Sequence, residues 1–104
     1  MLPEVTREDV VDGARLAVAG LYHLVAHTLM SEQEPEAHRQ GLQKMLFFAL
    51  QQTTYLRCGT FPSTRAELLN LIDDEEATLL TGTGEPFFTG TLDWTSRTLR
   101  NLGQ

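Results

Sequence analysis

Three histidines, one cysteine and a turn rich in arginine, serine and threonine are this chain's candidates for reactivity or ligand binding. His23 and His27 stand four apart, which puts both on one helix face at a spacing that can hold a metal. His38 opens the next helical segment and could approach His27 across a short connection. No HExxH arrangement accompanies them, nearby carboxylates have no motif spacing, and Leu16, Gly20 and Met30 share their face. No metal site is therefore expected. Cys58 falls at the C-terminal end of a helix, the wrong end of the dipole for an activated thiolate, and is expected to be a small packed residue. Asp73, Asp74, Glu75 and Glu76 are accounted for by helix capping and solvation, so no carboxylate pair is assigned acid–base work. The best local candidate is the turn between Arg57 and Arg65. Two arginines bracket Gly59, Ser63 and Thr64 where a following helix presents free backbone N–H groups, a combination suited to an anion. Arg57, Ser63, Thr64 and Arg65 are the expected anion-binding residues. The competing expectation is a plain capping turn, with both arginines paired to Glu67 or to solvent.

The elements that must position these residues read as helices throughout. The central stretch is Lys44 to Arg57, KMLFFALQQTTYLR, in which Met45 to Leu50 run without a polar break. Leu42, Leu46, Ala49, Thr53 and Leu56 form one heptad seam, with Met45, Phe48, Gln52 and Tyr55 beside it. A helix with two apolar seams needs two neighbours, or a neighbour and a second molecule. Helix one is expected from about 7 to 30, capped by Thr6 with Asp9, and it also carries two seams. Val10, Ala14, Ala17, Leu21 and Leu24 make one; Val11, Val18, Tyr22, Val25 and Leu29 make the other. Gly13 and Gly20, a heptad apart, point to a close helix crossing.

Ser31 and Glu34 read as a capping box opening helix two, about 34 to 58, which ends at Gly59 as a left-handed cap. Short helices are expected at about 65–72 (capped by Thr64 with Glu67), 75–80 (capped by Asp73) and 92–102. Thr81 to Gly90, TGTGEPFFTG, reads as a loop pinned by Phe87 and Phe88. The fold class is thus all-α, a single domain of two long antiparallel helices plus two or three short ones. Because short helices provide little cover, the second seams are expected to meet a partner, by default a symmetric dimer. Val11, Val18, Tyr22, Val25, Met45, Phe48 and Tyr55 are the expected interface residues.

Composition narrows the function classes. The formal net charge of −6 argues against a free-standing nucleic-acid binder, which needs a basic face for counterion release. The charge is uneven: residues 37–72 hold Arg39, Lys44, Arg57 and Arg65 against Glu67 alone, a positive island in an acidic chain. No apolar run reaches the roughly 20 residues needed to span a bilayer. MLPEVTREDV lacks the basic-then-apolar pattern of a signal peptide. A single cysteine excludes an internal disulfide and fits a reducing, cytoplasmic compartment.

Ala49 to Leu71, ALQQTTYLRCGTFPSTRAELLNL, resembles the signature half of HEPN-type helical domains. In those, a long helix ends in a Leu-rich stretch and glycine, and a Pro/Thr turn leads to a basic residue or histidine opening a short Leu-rich helix. Leu16 to Leu29, LAVAGLYHLVAHTL, is similar to the first HEPN helix. The resemblance implies a helical bundle, often dimeric and often paired with a minimal nucleotidyltransferase. One branch of that family is ribonucleolytic and relies on an arginine followed a few residues later by histidine. Here every histidine is at or before His38, Arg15 to His23 is too wide, and Arg65 stands where that branch would place histidine. The resemblance therefore implies the accessory branch: a non-catalytic helical subunit that binds a nucleotidyltransferase or helps form its substrate pocket. No catalytic residue, metal or cofactor is expected. The alternative is a homodimeric structural or regulatory helical module without substrate.

Overall fold

The computed structural model describes residues 6–31 and 34–103. Within them the protein is all-α, with helices α1 (Arg7–Ser31), α2 (Arg39–Cys58), α3 (Arg65–Leu71), α4 (Asp74–Thr81) and α5 (Gly84–Gly103). The ends of these helices are set by local chemistry. Thr6 Oγ1 accepts from Asp9 N at 3.1 Å while Asp9 Oδ2 accepts from Thr6 N at 3.2 Å, a reciprocal box at the start of α1. Gly59, at φ 78°, closes α2 by donating its N–H to Tyr55 O at 2.8 Å, and its left-handed backbone is the reason for a glycine there. Asp73 and Glu76 form a second reciprocal box that starts α4.

The α1–α2 connection departs from the sequence expectation. Ser31 is the last residue of α1, and a 3-10 turn, Pro35–His38, precedes α2. Glu34 is the capping residue of that turn, through backbone geometry and without a side-chain bond. Pro35 suits a first helical position because its fixed φ is already helical and its missing N–H would have had no acceptor.

The largest difference is α5. The glycine-rich stretch expected as a loop is helical from Gly84 on, giving a third long helix of 20 residues. Pro86 sits in the first turn, where no intrahelical N–H bond is lost. Gly90, inside the helix, lies so close to α4 that a Cβ there would stand 2.6 Å from Leu79 Cδ2. The glycine that weakens the helix locally thus permits the tight α4–α5 approach, and burial of Phe87, Phe88, Thr91, Trp94 and Thr95 stabilises it from outside.

Helices α1, α2 and α5 form an up–down–down bundle. Arg7 reaches Leu56 O near one end of α2, and Leu24 and Thr28 lie beside His38 and Leu42 near the other, so α1 and α2 are antiparallel. Arg15 Nη2 donates to Leu102 O at 2.8 Å while Leu29 lies near Phe88, so α5 also runs antiparallel to α1. The short helices α3 and α4 return along α2. Arg65 reaches Leu80 O, and Gln43 Nε2 donates to Gly82 O at 2.6 Å. One core joins Val18, Leu21 and Val25 of α1 with Leu42, Leu46, Ala49 and Leu50 of α2, Leu68, Leu79 and Leu80, and Phe87, Phe88 and Trp94 of α5.

This core corrects two expected interface residues. Val18 and Val25 are wholly buried within the single chain, because α5 is long enough to cover the seam they belong to. Cys58 is exposed rather than packed. It follows Ala49 by nine residues, half a turn from that buried position, and so faces away from the core. No described helix is long and apolar enough to cross a membrane.

Candidate functional site

The Arg57–Arg65 turn is closed on itself. Thr64 Oγ1 accepts from Glu67 N at 3.1 Å, which caps α3. Glu67 Oε2 accepts from Ser63 N at 3.0 Å and from Ser63 Oγ at 3.4 Å. The helix start that would greet an anion thus already holds the chain's own carboxylate. Arg57 is engaged elsewhere: its Nη2 donates to Leu71 O at 3.0 Å, and its Nη1 lies 3.8 Å from Glu76 Oε1. The four residues do not converge on one pocket. Arg57 pins the α3–α4 junction, Ser63 and Thr64 serve Glu67, and Arg65 borders a different cleft. Neither arginine is paired to Glu67, so the plain capping alternative holds for Ser63 and Thr64 but not for the partners of the arginines.

Glu76 is a structural hub that sequence reasoning assigned to capping and solvation. It is 5 % exposed. Its Oε2 accepts from Trp94 Nε1 at 3.0 Å, and its Oε1 accepts from Asp73 N at 3.4 Å and faces Arg57. A buried carboxylate is tolerated when hydrogen bonds and an opposite charge replace water, and here they do. The sequence signal was half present: Glu76 stands three after Asp73, a box position, but its bond to Trp94 spans 18 residues. Nearby, Arg97 bridges Glu75 and Asp93 on the surface. The hydrogen bond to Glu75 holds its guanidinium protonated above the ordinary arginine range, with Asp93 adding to the effect and burial opposing it.

His23 and His27 are both exposed, with near-parallel rings 6.4 Å apart. Among the described residues, no three histidine, cysteine or acidic side chains gather as metal ligands would.

The open feature of the bundle is the face between α1 and α2, opposite the side that receives α5. Gly13, Ala17, Gly20 and Leu24 recur along α1 at heptad spacing, and Gly41, Met45, Phe48, Gln52 and Tyr55 recur along α2. None of these nine residues is charged. The α2 row is a ridge: Phe48 is 50 % exposed, and Tyr55 packs edge-on to an equally exposed Phe61 at 6.2 Å. The α1 row is a trough. A Cβ at Gly13 would meet Gln52 Oε1 at 3.0 Å, whereas one at Gly20 would meet nothing within 4 Å. The expected crossing is therefore close at Gly13 and open at Gly20. A cleft of about 340 Å³ lies between Asp9, Gly13, Gln52, Tyr55 and Phe61, with Asp9 the one charged residue in its lining, and another of about 240 Å³ lies between Leu24, His38, Gly41 and Met45. Of the expected interface residues, Met45, Phe48 and Tyr55 belong to this face. Val11 and Tyr22 do not: Tyr22 follows Gly13 by nine residues, on the flank of α1 that carries Arg15. Phe61 was missed as a face residue, because it lies in the turn after α2 and joins the face only by packing on Tyr55.

Compared with protein-family models, curated proteins and solved structures, the chain matches none.

Proposed function

We propose that this protein is a non-catalytic helical interaction module, and that its α1/α2 face pairs with the same face of a second copy. The carrying observation is the pair of shapes on that face: an aromatic ridge on α2 beside a trough on α1 that stands open at Gly20 and carries a charge only at its Asp9 end. A two-fold axis through such a face lays each ridge into the opposite trough, which is the geometry an isologous dimer requires. Exposed Phe48, Tyr55 and Phe61 supply the aromatic anchors that dominate such contacts.

Light scattering of the purified chain and of Gly20→Glu tests this. Gly20 sits on open space, so the glutamate leaves the monomer fold intact and raises helix propensity while placing a charge in the trough. The expected result is twice the 11.7-kDa chain mass for the parent and the single mass for the variant, with equal helical circular dichroism. A monomeric parent, or a dimeric Gly20→Glu, refutes the assignment.

A second reading is favoured by the HEPN-type resemblance of residues 49–71 and 16–29. In it, the same face receives a minimal nucleotidyltransferase in the cytoplasm, with this chain as accessory or substrate-binding subunit. Arg65 is the member of the Arg57, Ser63, Thr64 and Arg65 set that remains open to a substrate. Co-expression with a candidate nucleotidyltransferase, followed by light scattering, separates the two. A mixed complex of one chain each supports this reading, and an undisturbed homodimer removes it.

A further inference from the structure

The flank of α2 facing α3 and α4 carries a cleft that adjoins the proposed dimer face and shares Phe48 with it. It encloses about 370 Å³ between Lys44, Phe47 and Phe48 of α2, Arg65 of α3 and Leu80 of α4, with Gln40 at one end. Its floor is apolar: Leu80 is 2 % exposed, and the Phe47 and Phe48 rings meet edge to face at 6.0 Å. Both charged residues in its wall are cations, and no carboxylate lines it, in a chain whose net charge is −6. Lys44 makes no ion pair with any described residue. Arg65 uses one amino group on Leu80 O at 3.5 Å and likewise has no described carboxylate partner. Gln43 is committed, held between Arg39 and Gly82 O. Two unneutralised cations over an aromatic floor leave one kind of guest complementary to both features.

We propose that this cleft binds a small organic anion with an apolar, ring-sized body, its carboxylate or sulfonate set between Lys44 and Arg65 and its body against Phe47, Phe48 and Leu80. The cleft's volume falls at the lower end of the range for small-molecule sites, roughly 300–1,000 Å³. Arginine offers the anion a planar fork and lysine a point charge. Desolvation by the aromatic floor strengthens both contacts relative to open surface.

The test is calorimetric titration of the full chain with 2-naphthoate and with the neutral, isosteric 2-naphthamide, alongside amide chemical-shift mapping. Naphthoate is expected to bind about tenfold more tightly than the amide, the difference being a single charge-assisted contact of about 1.4 kcal/mol. Lys44→Gln and Arg65→Gln are each expected to lose most of that preference. Lys44 contacts no described partner, so its variant keeps the fold and the conclusion does not depend on Arg65 alone. Shifts should map to residues 43–48, 65 and 80. Gly20→Glu, which targets the dimer face away from Lys44 and Arg65, should keep the preference for acid over amide even where freeing the shared Phe48 changes the overall affinity, so the two proposals fail separately. Equal affinity for acid and amide, shifts mapping to the α1/α2 clefts, or no binding at millimolar concentration overturns the assignment. Binding of a glutamate-rich peptide without naphthoate binding also overturns it, in favour of an acidic polypeptide guest.

Discussion

Removing the Glu76 carboxylate should unfold this bundle at a markedly lower temperature, although Glu76 lies in an acidic run that looks solvated. In Glu76→Ala three things change together. The Asp73 box loses its reciprocal bond, which costs about 0.5–1 kcal/mol at a helix start. The Trp94 indole N–H, on a side chain only 4 % exposed, loses its acceptor, and an orphaned buried donor costs about 1–3 kcal/mol. Arg57 loses its carboxylate, but its side chain is 48 % exposed and the gap is 3.8 Å, so solvent screening leaves that contribution at a few tenths of a kcal/mol. The total is about 2–4 kcal/mol, or roughly 10–20 °C in Tm for a domain of this size. Glu76→Gln keeps one acceptor oxygen and should lose about half as much. Thermal melts followed by circular dichroism measure this, and Trp94, the single tryptophan, provides an independent fluorescence probe. A double-mutant cycle with Trp94→Phe isolates the shared bond, since the two changes should be less than additive by about 1 kcal/mol or more. A loss below about 0.5 kcal/mol for Glu76→Ala, or full additivity with Trp94→Phe, refutes the hub.

Three further substitutions probe features of the same fold. Gly90→Ala, normally helix-stabilising, should instead destabilise by about 1–3 kcal/mol, because its Cβ would stand 2.6 Å from Leu79 Cδ2 in a buried contact; chemical denaturation reads the sign. Thr91→Val should be neutral or raise Tm, because the Thr91 hydroxyl is buried without a described hydrogen-bond partner and valine has its shape. Gly59→Ala should cost about 1 kcal/mol in the same denaturation assay, since alanine must adopt φ near 78° there.

What could be read from the sequence was whatever is decided within four residues. The Thr6–Asp9, Thr64–Glu67 and Asp73–Glu76 contacts and the Gly59 cap are all local, so those helix ends and the all-α class followed directly. The glycine-rich start of α5 did not, because a helix through Gly90 is favoured only once Leu79 lies against it, a contact between two helices. That one extension determines what covers α1: a short final helix would leave the Val18 and Val25 seam open, and a 20-residue helix buries it. The candidate site failed for a related reason. Arg57 and Arg65 flank one turn in sequence, yet Arg57 reaches Leu71 and Glu76 while Arg65 reaches Leu80, and Glu67 takes the turn between them. Lys44 was visible in the positive island of the middle third, but its place opposite Arg65 depends on how α3 returns along α2.

Isotope-filtered nuclear Overhauser spectroscopy on a mixture of labelled and unlabelled chain decides whether the α1/α2 face meets its own copy. Intermolecular contacts are expected from the Phe48, Tyr55 and Phe61 rings of one copy to Gly20, Ala17 and Leu24 of the other. Intermolecular contacts confined to α5, or none at concentrations where light scattering finds the doubled mass, would contradict that pairing.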